Sequence, residues 1–246
     1  MAGRGDSEEV ARGVYRLGTK WANFYLVSDG GEAMLIDAGY PGYFAQLEAA
    51  AAALAGGLQA LRGVIVTHHH LDHAGTAGAV HSRAGATVFA HEGDAAKLRG
   101  EIASHPPSGF YGEGWRPSMI RYLAHTVGAG GVRYRPVSEL TLLEDGQELD
   151  LPGRPRIIYT PGHTAGHCSA LLPDRGVLAC GDAMVNFDYA SGQTGLRLHR
   201  FNEDRESARA TLARLGGALA EILLFGHGDP WRGEPRRAVE QARSER

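Results

Sequence analysis

Four side chains able to ligate a metal ion, His68, His70, Asp72 and His73, fall within six residues of the stretch Thr67-His68-His69-His70-Leu71-Asp72-His73-Ala74-Gly75. Imidazole nitrogens and carboxylate oxygens together suit zinc and similar divalent ions. An apolar run, Gly63-Val64-Ile65-Val66, leads into them and reads as a short buried strand. The four residues then sit on a loop at its C-terminal end. A loop can turn several side chains toward one point, whereas a straight strand alternates them between two faces.

Three more polar residues stand at turns after strand-like runs. His163 follows Tyr159-Thr160-Pro161-Gly162, Asp182 follows Val177-Leu178-Ala179-Cys180-Gly181, and His227 follows Ile222-Leu223-Leu224-Phe225-Gly226. Each is preceded by glycine, which lets backbone and neighbouring groups approach closely. Taken singly, each is an ordinary turn residue. With the His68–His73 cluster they make seven candidate ligands, five histidines and two aspartates. Seven exceed the need of one tetrahedral zinc ion. They suit two ions with a shared carboxylate and a bridging water. Such ions make hydroxide available near neutrality and polarise a substrate carbonyl. The site would also stabilise the oxyanion of a tetrahedral intermediate. Asp72 is the candidate catalytic residue, a ligand that also carries a proton to the leaving group. Two zinc ions are the expected cofactors, with iron or manganese as other divalent choices.

The elements that must position these residues alternate between strand and helix. Gly13–Leu17, Ala22–Ser28 and Glu32–Asp37 read as strands, with a hairpin turn at Ser28-Asp29-Gly30-Gly31. Asp37 ends a continuously apolar strand, where an acid needs partners; it reads equally as a turn residue and as a support for the ligands. Tyr43–Leu54 reads as a helix stopped by Gly56-Gly57, and Ala74–Arg83 as a second, before a strand over Ala86–Ala90. Strands over Leu140–Leu143, Glu148–Leu151, Arg156–Thr160, Cys168–Leu172 and Gly176–Cys180 follow. A helix over Glu203–Leu215 capped by Asn202, a strand over Glu221–Phe225 and a polar helix over Glu234–Arg243 complete the chain. The alternation implies α/β layers over a central sheet.

Residues 94–137 interrupt this order with Pro106-Pro107, several glycines, and Phe110, Tyr111, Trp115, Tyr122 and Tyr134. A short helix is expected over Ser118–His125. The segment reads as an inserted loop and helical lid over a substrate pocket, since long loops in compact domains are often functional. Pocket walls are expected from residues 105–135 and 184–201, with Trp115, Phe187 and Tyr189 as apolar contacts.

Composition bounds the rest. The chain has 246 residues, 43% of them hydrophobic and 22% charged, and a single domain over 1–246 is the expectation. A net charge of −3 gives no basic signature for nucleic acid. Residues 1–9 read as a loose terminus without the apolar segment of a signal peptide, and no run approaches the roughly 18 apolar residues of a membrane span. A cytoplasmic protein acting on a small molecule is expected. Symmetric pairing around Pro173-Asp174-Arg175-Gly176 places Cys168 and Cys180 opposite each other. Free buried thiols are favoured over a disulfide, because the chain reads as intracellular.

The ordered set Asp37, His68-x-His70-x-Asp72-His73, His163, Asp182 and His227 resembles the metallo-β-lactamase-fold hydrolase superfamily. The resemblance implies a four-layer αββα sandwich with the site at one edge of two packed sheets. By position it assigns His68, His70 and His163 to a first metal, and Asp72, His73 and His227 to a second. Asp182 bridges them, and Asp37 is a supporting acid. The implied activity is dinuclear zinc hydrolysis of a small ester, thioester or lactone.

Departures narrow the family choice. Cys180 lies two residues before the position where several zinc β-lactamases carry a cysteine ligand. Glyoxalase II resembles this ligand set but carries a C-terminal helical region, and only 19 residues follow His227. Acyl-homoserine lactonases carry a tyrosine where Val185 stands, with Tyr189 as a spatial substitute. His70 argues against the flavodiiron branch. The alternative reading is a mononuclear iron oxidoreductase of the persulfide dioxygenase type, followed by a β-lactamase and a non-catalytic binding protein. Among the other histidines, His69 is expected to point away and His167 to support a ligand or pack ordinarily. His81, His91, His105, His125 and His199 read as ordinary. No Gly-x-Ser-x-Gly elbow or dinucleotide-binding glycine motif occurs.

Overall fold

Tight turns build the first strands into an antiparallel meander in the computed structural model, which describes residues 7–105, 109–132 and 135–244. β1 (Glu8–Ala11), β2 (Val14–Thr19), β3 (Ala22–Asp29) and β4 (Glu32–Ile36) pair in sequence. Glu8 and Glu9 thus belong to a strand and not to a loose terminus; residues 1–6 lie outside the described residues, as do Pro106, Pro107 and Tyr134. After β4 the chain crosses over through α1 (Phe44–Ala55), and β5 (Leu61–Ile65) returns parallel to β4. Parallel pairing requires such a crossover.

The expected helix over Ala74–Arg83 is broken at Gly75-Thr76 into α2 (Leu71–Ala74) and α3 (Ala77–Ala84). Asp72 and His73 therefore sit on a single helical turn, not on an open loop. β6 (Thr87–His91), α4 (Glu92–Leu98), α5 (Pro117–Gly128) and β7 (Thr141–Leu143) follow. β5, β6 and β7 run parallel and complete a seven-stranded sheet in the order β1 to β7.

The second sheet takes β8 (Arg156–Tyr159), β9 (Cys168–Leu172) and β10 (Val177–Ala179), with a separate hairpin, β11 (Val185–Asp188) and β12 (Gln193–Arg197), inserted after them. α6 (Arg205–Gly216), β13 (Ile222–Leu224), β14 (Trp231–Arg232) and α7 (Pro235–Ser244) close the chain. The sheet order is β14-β13-β10-β9-β8.

Side-chain alternation sorts the layers. In β4, Leu35 faces Leu47 and Ala51 of α1 and Val80 of α3. Its neighbours Met34 and Ile36 face the opposite way, against Ala170, Leu172, Ala179 and Leu224 of the second sheet. The far side of that sheet, with Leu178 and Leu223, is covered by Leu212 and Leu215 of α6 and Val239 of α7. Helix, sheet, sheet, helix is the αββα order. Each fully buried Leu, Ile or Met in these layers contributes roughly 1.5–3 kcal/mol. No helix among the described residues is long and apolar enough to cross a membrane.

Three local expectations fail for identifiable reasons. Glu148–Leu151 forms no strand but a lone bridge from Glu148 to Arg156, because the backbone turns at Leu151–Arg154, where Arg154 adopts φ 45°. Asp204, not Asn202, caps α6, accepting from the N–H groups of Glu206 and Ser207; Asn202 instead donates to the carbonyl of His199. The β9–β10 register pairs Leu172 with Val177 and Ala170 with Ala179. Cys180 therefore comes next to Ser169 and not Cys168, one residue off the expected pairing, and both cysteines are free and buried.

Candidate metal centre

One carboxylate organises the loop after β5. Asp37, at φ 60° just past β4, accepts from the Thr67 N–H through Oδ1 (2.8 Å) and from the Thr67 hydroxyl through Oδ2 (3.0 Å). The same Oδ2 lies 2.8 Å from His73 Nδ1. Thr67 Oγ1, its proton committed to Asp37, accepts from His68 Nδ1 at 3.0 Å. These contacts place a proton on Nδ1 of both His68 and His73 and turn the Nε2 atom of each toward the site.

Two groups of such atoms converge. His68 Nε2 and His163 Nε2 lie 2.9 and 3.0 Å from His70 Nδ1. Burial first, and the neighbouring imidazoles second, hold all three histidines well below the usual imidazole pKa. They are neutral, with lone pairs to share. In the second group Asp72 Oδ2 lies 3.9 Å from His73 Nε2 and 3.7 Å from His227 Nε2. His227 Nδ1 donates to the Trp21 carbonyl at 2.5 Å, which turns Nε2 inward.

Asp182 stands between the groups. Its Oδ1 is 3.6 Å from His73 Nε2; its Oδ2 is 3.1 Å from His227 Nε2 and 3.6 Å from His163 Nε2. Burial opposes its charge, but His227, His73 and His199 outweigh that and hold the carboxyl well below its usual range. Burial likewise opposes charge on His73, yet Asp182, Asp37 and Asp72 push it up to about 10. His167 fixes the backbone here: its Nε2 accepts from the Asp182 N–H at 3.0 Å while Nδ1 faces Thr160.

Divalent cations fit this arrangement. His73 Nε2 and Asp182 Oδ1 are buried without a hydrogen-bond partner, a state that costs roughly 1–3 kcal/mol per group. Ligand atoms of His68, His70 and His163, and of Asp72, His73 and His227, lie within 4.8 Å of one another in each group. The glycines before the ligands make room. A Cβ at Gly226 would collide with Asp182 Oδ1 and His73 Cε1, and one at Gly181 would press on His167 Nε2 and Thr67 Oγ1.

The groups open into a cavity of about 560 Å³ lined by Tyr40, Leu71, Ile102, Phe110, Tyr122 and Tyr189. Tyr122 and Tyr189 stack at 4.0 Å, and Tyr189 lies 4.9 Å from the His227 ring. Two expected wall residues are elsewhere. Trp115 is 73% exposed, and Phe187 packs edge-on against Trp21. Val185 is buried at the start of β11.

Three residues with a part in the site were not singled out for it. Tyr122 bonds Asp72 from α5. Asp94 accepts from the backbone N–H of His69 and Gly166 and from the Thr164 hydroxyl, stapling the His68–His73 loop to the His163 loop. His199, expected to be ordinary, is buried with Nε2 3.4 Å from Asp182 Oδ2. None carries a local motif; only helix N-terminal placement could have marked Asp94. His69 is buried against Asp94, 3.2 Å from its Oδ2, and borders the cavity. His105 also borders the cavity, whereas His81 bonds the Ala86 carbonyl, His91 caps α4 and His125 bonds the Tyr43 hydroxyl.

Comparison with known proteins adds an independent line. A family model described as the metallo-beta-lactamase superfamily matches residues 22–227. A Bacillus subtilis (strain 168) protein named "Probable metallo-hydrolase YflN" is 28% identical over 239 residues, 92% of this chain and 88% of that protein. A hydroxyacylglutathione hydrolase of Anaeromyxobacter dehalogenans (strain 2CP-C) is 41% identical over 195 residues, 79% of this chain but 57% of that protein. The crystal structure of a metallo-beta-lactamase family protein from Thermus thermophilus superposes with a TM-score of 0.68 at 28% identity, covering 95% of this chain and 79% of that one.

Proposed function

Because the chain belongs to the metallo-beta-lactamase superfamily and is a metal-dependent hydrolase, we propose that it hydrolyses a small ester, thioester or lactone with two zinc ions. His68, His70 and His163 would hold one ion, Asp72, His73 and His227 the other, with Asp182 shared. The observation that carries this reading is the Asp182 carboxylate between the two groups, with Oδ1 toward His73 and Oδ2 toward both His227 and His163. Ions bound there lower the pKa of water toward neutrality and polarise the scissile carbonyl.

The chain's own residues do the rest. Asp37 and Thr67 hold His68 and His73 by Nδ1, so that Nε2 of each is the atom turned toward an ion. His167 and Thr160 hold Asp182 by its backbone. Asp72 borders the cavity and holds the proton for the leaving group, and Tyr122 fixes its orientation. The stacked tyrosines exclude water beside the reacting bond.

The cavity walls favour a neutral acyl group. Among the described lining residues Lys97 is the one lysine or arginine, and Glu203 Oε1 holds it at 2.6 Å. Thioester hydrolysis is supported by the hydroxyacylglutathione hydrolase relatives, although the chain spans little more than half of the Anaeromyxobacter protein. An iron oxidoreductase needing one metal group would leave the convergence of Asp72, His73 and His227 without a role.

The test is zinc reconstitution, metal analysis and assay on a panel of aryl esters, acyl thioesters and lactones. Two zinc ions per chain and chelator-sensitive hydrolysis are expected. Well under one metal per chain, with no turnover across the panel, overturns the reading.

A further inference from the structure

We propose that His199 is an additional metal ligand, placed beside His163 and Asp182 on the side of the first ion. This rests on the metal-site reading above and extends its ligand set by a residue that carries no motif. His163, Asp182 and His199 offer ligand atoms that lie within 4.8 Å of one another. The His199 ring stands 4.3 Å from the His163 ring, and its Nε2 is 3.4 Å from Asp182 Oδ2.

The outer edge of the ring is fixed. Nδ1 lies 2.9 Å from the Phe201 carbonyl and 3.1 Å from the Phe201 N–H. With its proton on Nδ1, donated to the Phe201 carbonyl, the ring keeps a lone pair on Nε2; accepting from the Phe201 N–H would require the other tautomer. That lone pair then faces a carboxylate oxygen, and two acceptors are repelled unless a positive charge lies between them. The opposite tautomer would make Nε2 a donor to Asp182, but 3.4 Å is long for a charge-assisted bond, which closes to about 2.7–2.9 Å. The ring cannot easily swing away. Asn202 holds the His199 carbonyl at 2.6 Å, and Tyr189, Phe201 and His227 pack around the imidazole.

Imidazole suits the same ions as the other ligands. His199 would therefore tighten the first site and lower the number of positions left open to substrate and water there.

The test uses the full chain, wild type and His199→Asn. Asparagine can keep the contact to the Phe201 backbone but has no atom at the Nε2 position. Cobalt(II) titration with a competing chelator gives affinity and the visible spectrum, and side-chain 15N NMR of the wild type reports on Nε2 directly. Loss of an outer-shell partner already costs about 10–100-fold in affinity, so loss of a ligand should weaken the tighter site by at least about tenfold. The expected result is that weakening, with an altered cobalt spectrum, an unchanged apo melting temperature and a metal-induced shift at His199 Nε2. If the variant fails to fold, the wild-type nitrogen shift decides alone. Wild-type affinities and spectrum in a folded variant, or an Nε2 that stays protonated on metal loading, overturn the assignment while leaving the two-zinc reading standing. A wild-type chain that takes up no cobalt overturns both.

Discussion

The hydroxyl of Tyr122 donates to Asp72 Oδ2 at 3.2 Å, a contact that runs from α5 into the helical turn carrying Asp72 and His73. Behind it Tyr40 donates to Tyr122 at 3.2 Å and, its proton so committed, accepts from the Thr126 hydroxyl at 2.8 Å. The segment that interrupts the strand and helix order thus reaches into the candidate site by a hydrogen bond as well as by bordering the cavity.

Tyr122→Phe keeps the stack on Tyr189 and removes the donor to Asp72 together with the acceptor of the Tyr40 hydroxyl. A hydrogen bond to a charged group is worth about 1.5–3 kcal/mol, so kcat should fall about tenfold or more while KM stays within about threefold. Steady-state kinetics on any substrate that is turned over, with a melting curve for stability, checks this. A kcat within about twofold of wild type removes Tyr122 from the positioning of Asp72.

Asp37→Asn should weaken metal binding by about 10–100-fold. Oδ2 of Asp37 accepts from both Thr67 and His73, and an amide nitrogen in its place would face two donors. Turning the amide over instead sets that nitrogen against the Thr67 N–H. Chelator competition on the purified variant gives the number, and wild-type affinity would show that the orientation of His73 does not depend on Asp37.

Gly226→Ala places a methyl group against Asp182 Oδ1 and His73. The expected outcome is reduced metal content and a loss of about 1–3 kcal/mol in stability from overpacking. Gly112→Ala, with open space around the new Cβ, serves as the control and should change stability by less than about 0.5 kcal/mol. Metal analysis and urea denaturation of both variants separate a local collision from a general effect of adding Cβ.

The sequence was most informative where geometry is local. His68, His70, Asp72 and His73 share one loop and one helical turn, so their spacing alone brings them together. His163, Asp182 and His227 were found through the glycine before each and the strand-like run before that. His199, Tyr122 and Asp94 depend on how the β11–β12 hairpin, α5 and α4 pack against those loops, and no spacing within the chain encodes that packing. The same limit explains a smaller error at Glu148–Leu151, which has strand-like residues but is drawn into a turn. The cysteines are a matter of register alone, since the symmetric hairpin that pairs Leu172 with Val177 sets Cys180 against Ser169.

Asp94 gives a pH dependence of known sign. Burial alone would raise its pKa, but the His69 ring and backbone N–H and the Thr164 hydroxyl lower it well below the usual carboxylate range. A depressed folded-state value means that the contribution to stability is complete above the unfolded value of about 4 and is lost as pH falls below it. Asp94→Asn should therefore cost about 2–3 kcal/mol at pH 7, and the difference from wild type should shrink by pH 3. Urea denaturation at both pH values measures it. An equal difference at both would mean that the charge of Asp94 does not matter.

The candidate ligands are divided between the two sheets: His68 to His73 follow β5, while His163, Asp182 and His227 follow β8, β10 and β13. Asn23 and Tyr25 of β3 tie the two parts together at the Phe225 carbonyl, 3.0 and 2.7 Å away. An ion held by both groups would act as a clasp across this seam. The ion held by Asp72, His73 and His227 could not be fully ligated on the ribosome before His227 had emerged and β13 had docked. Once both ions are in place, each would link a loop of one sheet to a loop of the other, so that metal loading would strengthen the seam of the whole sandwich and not the fold of any single loop.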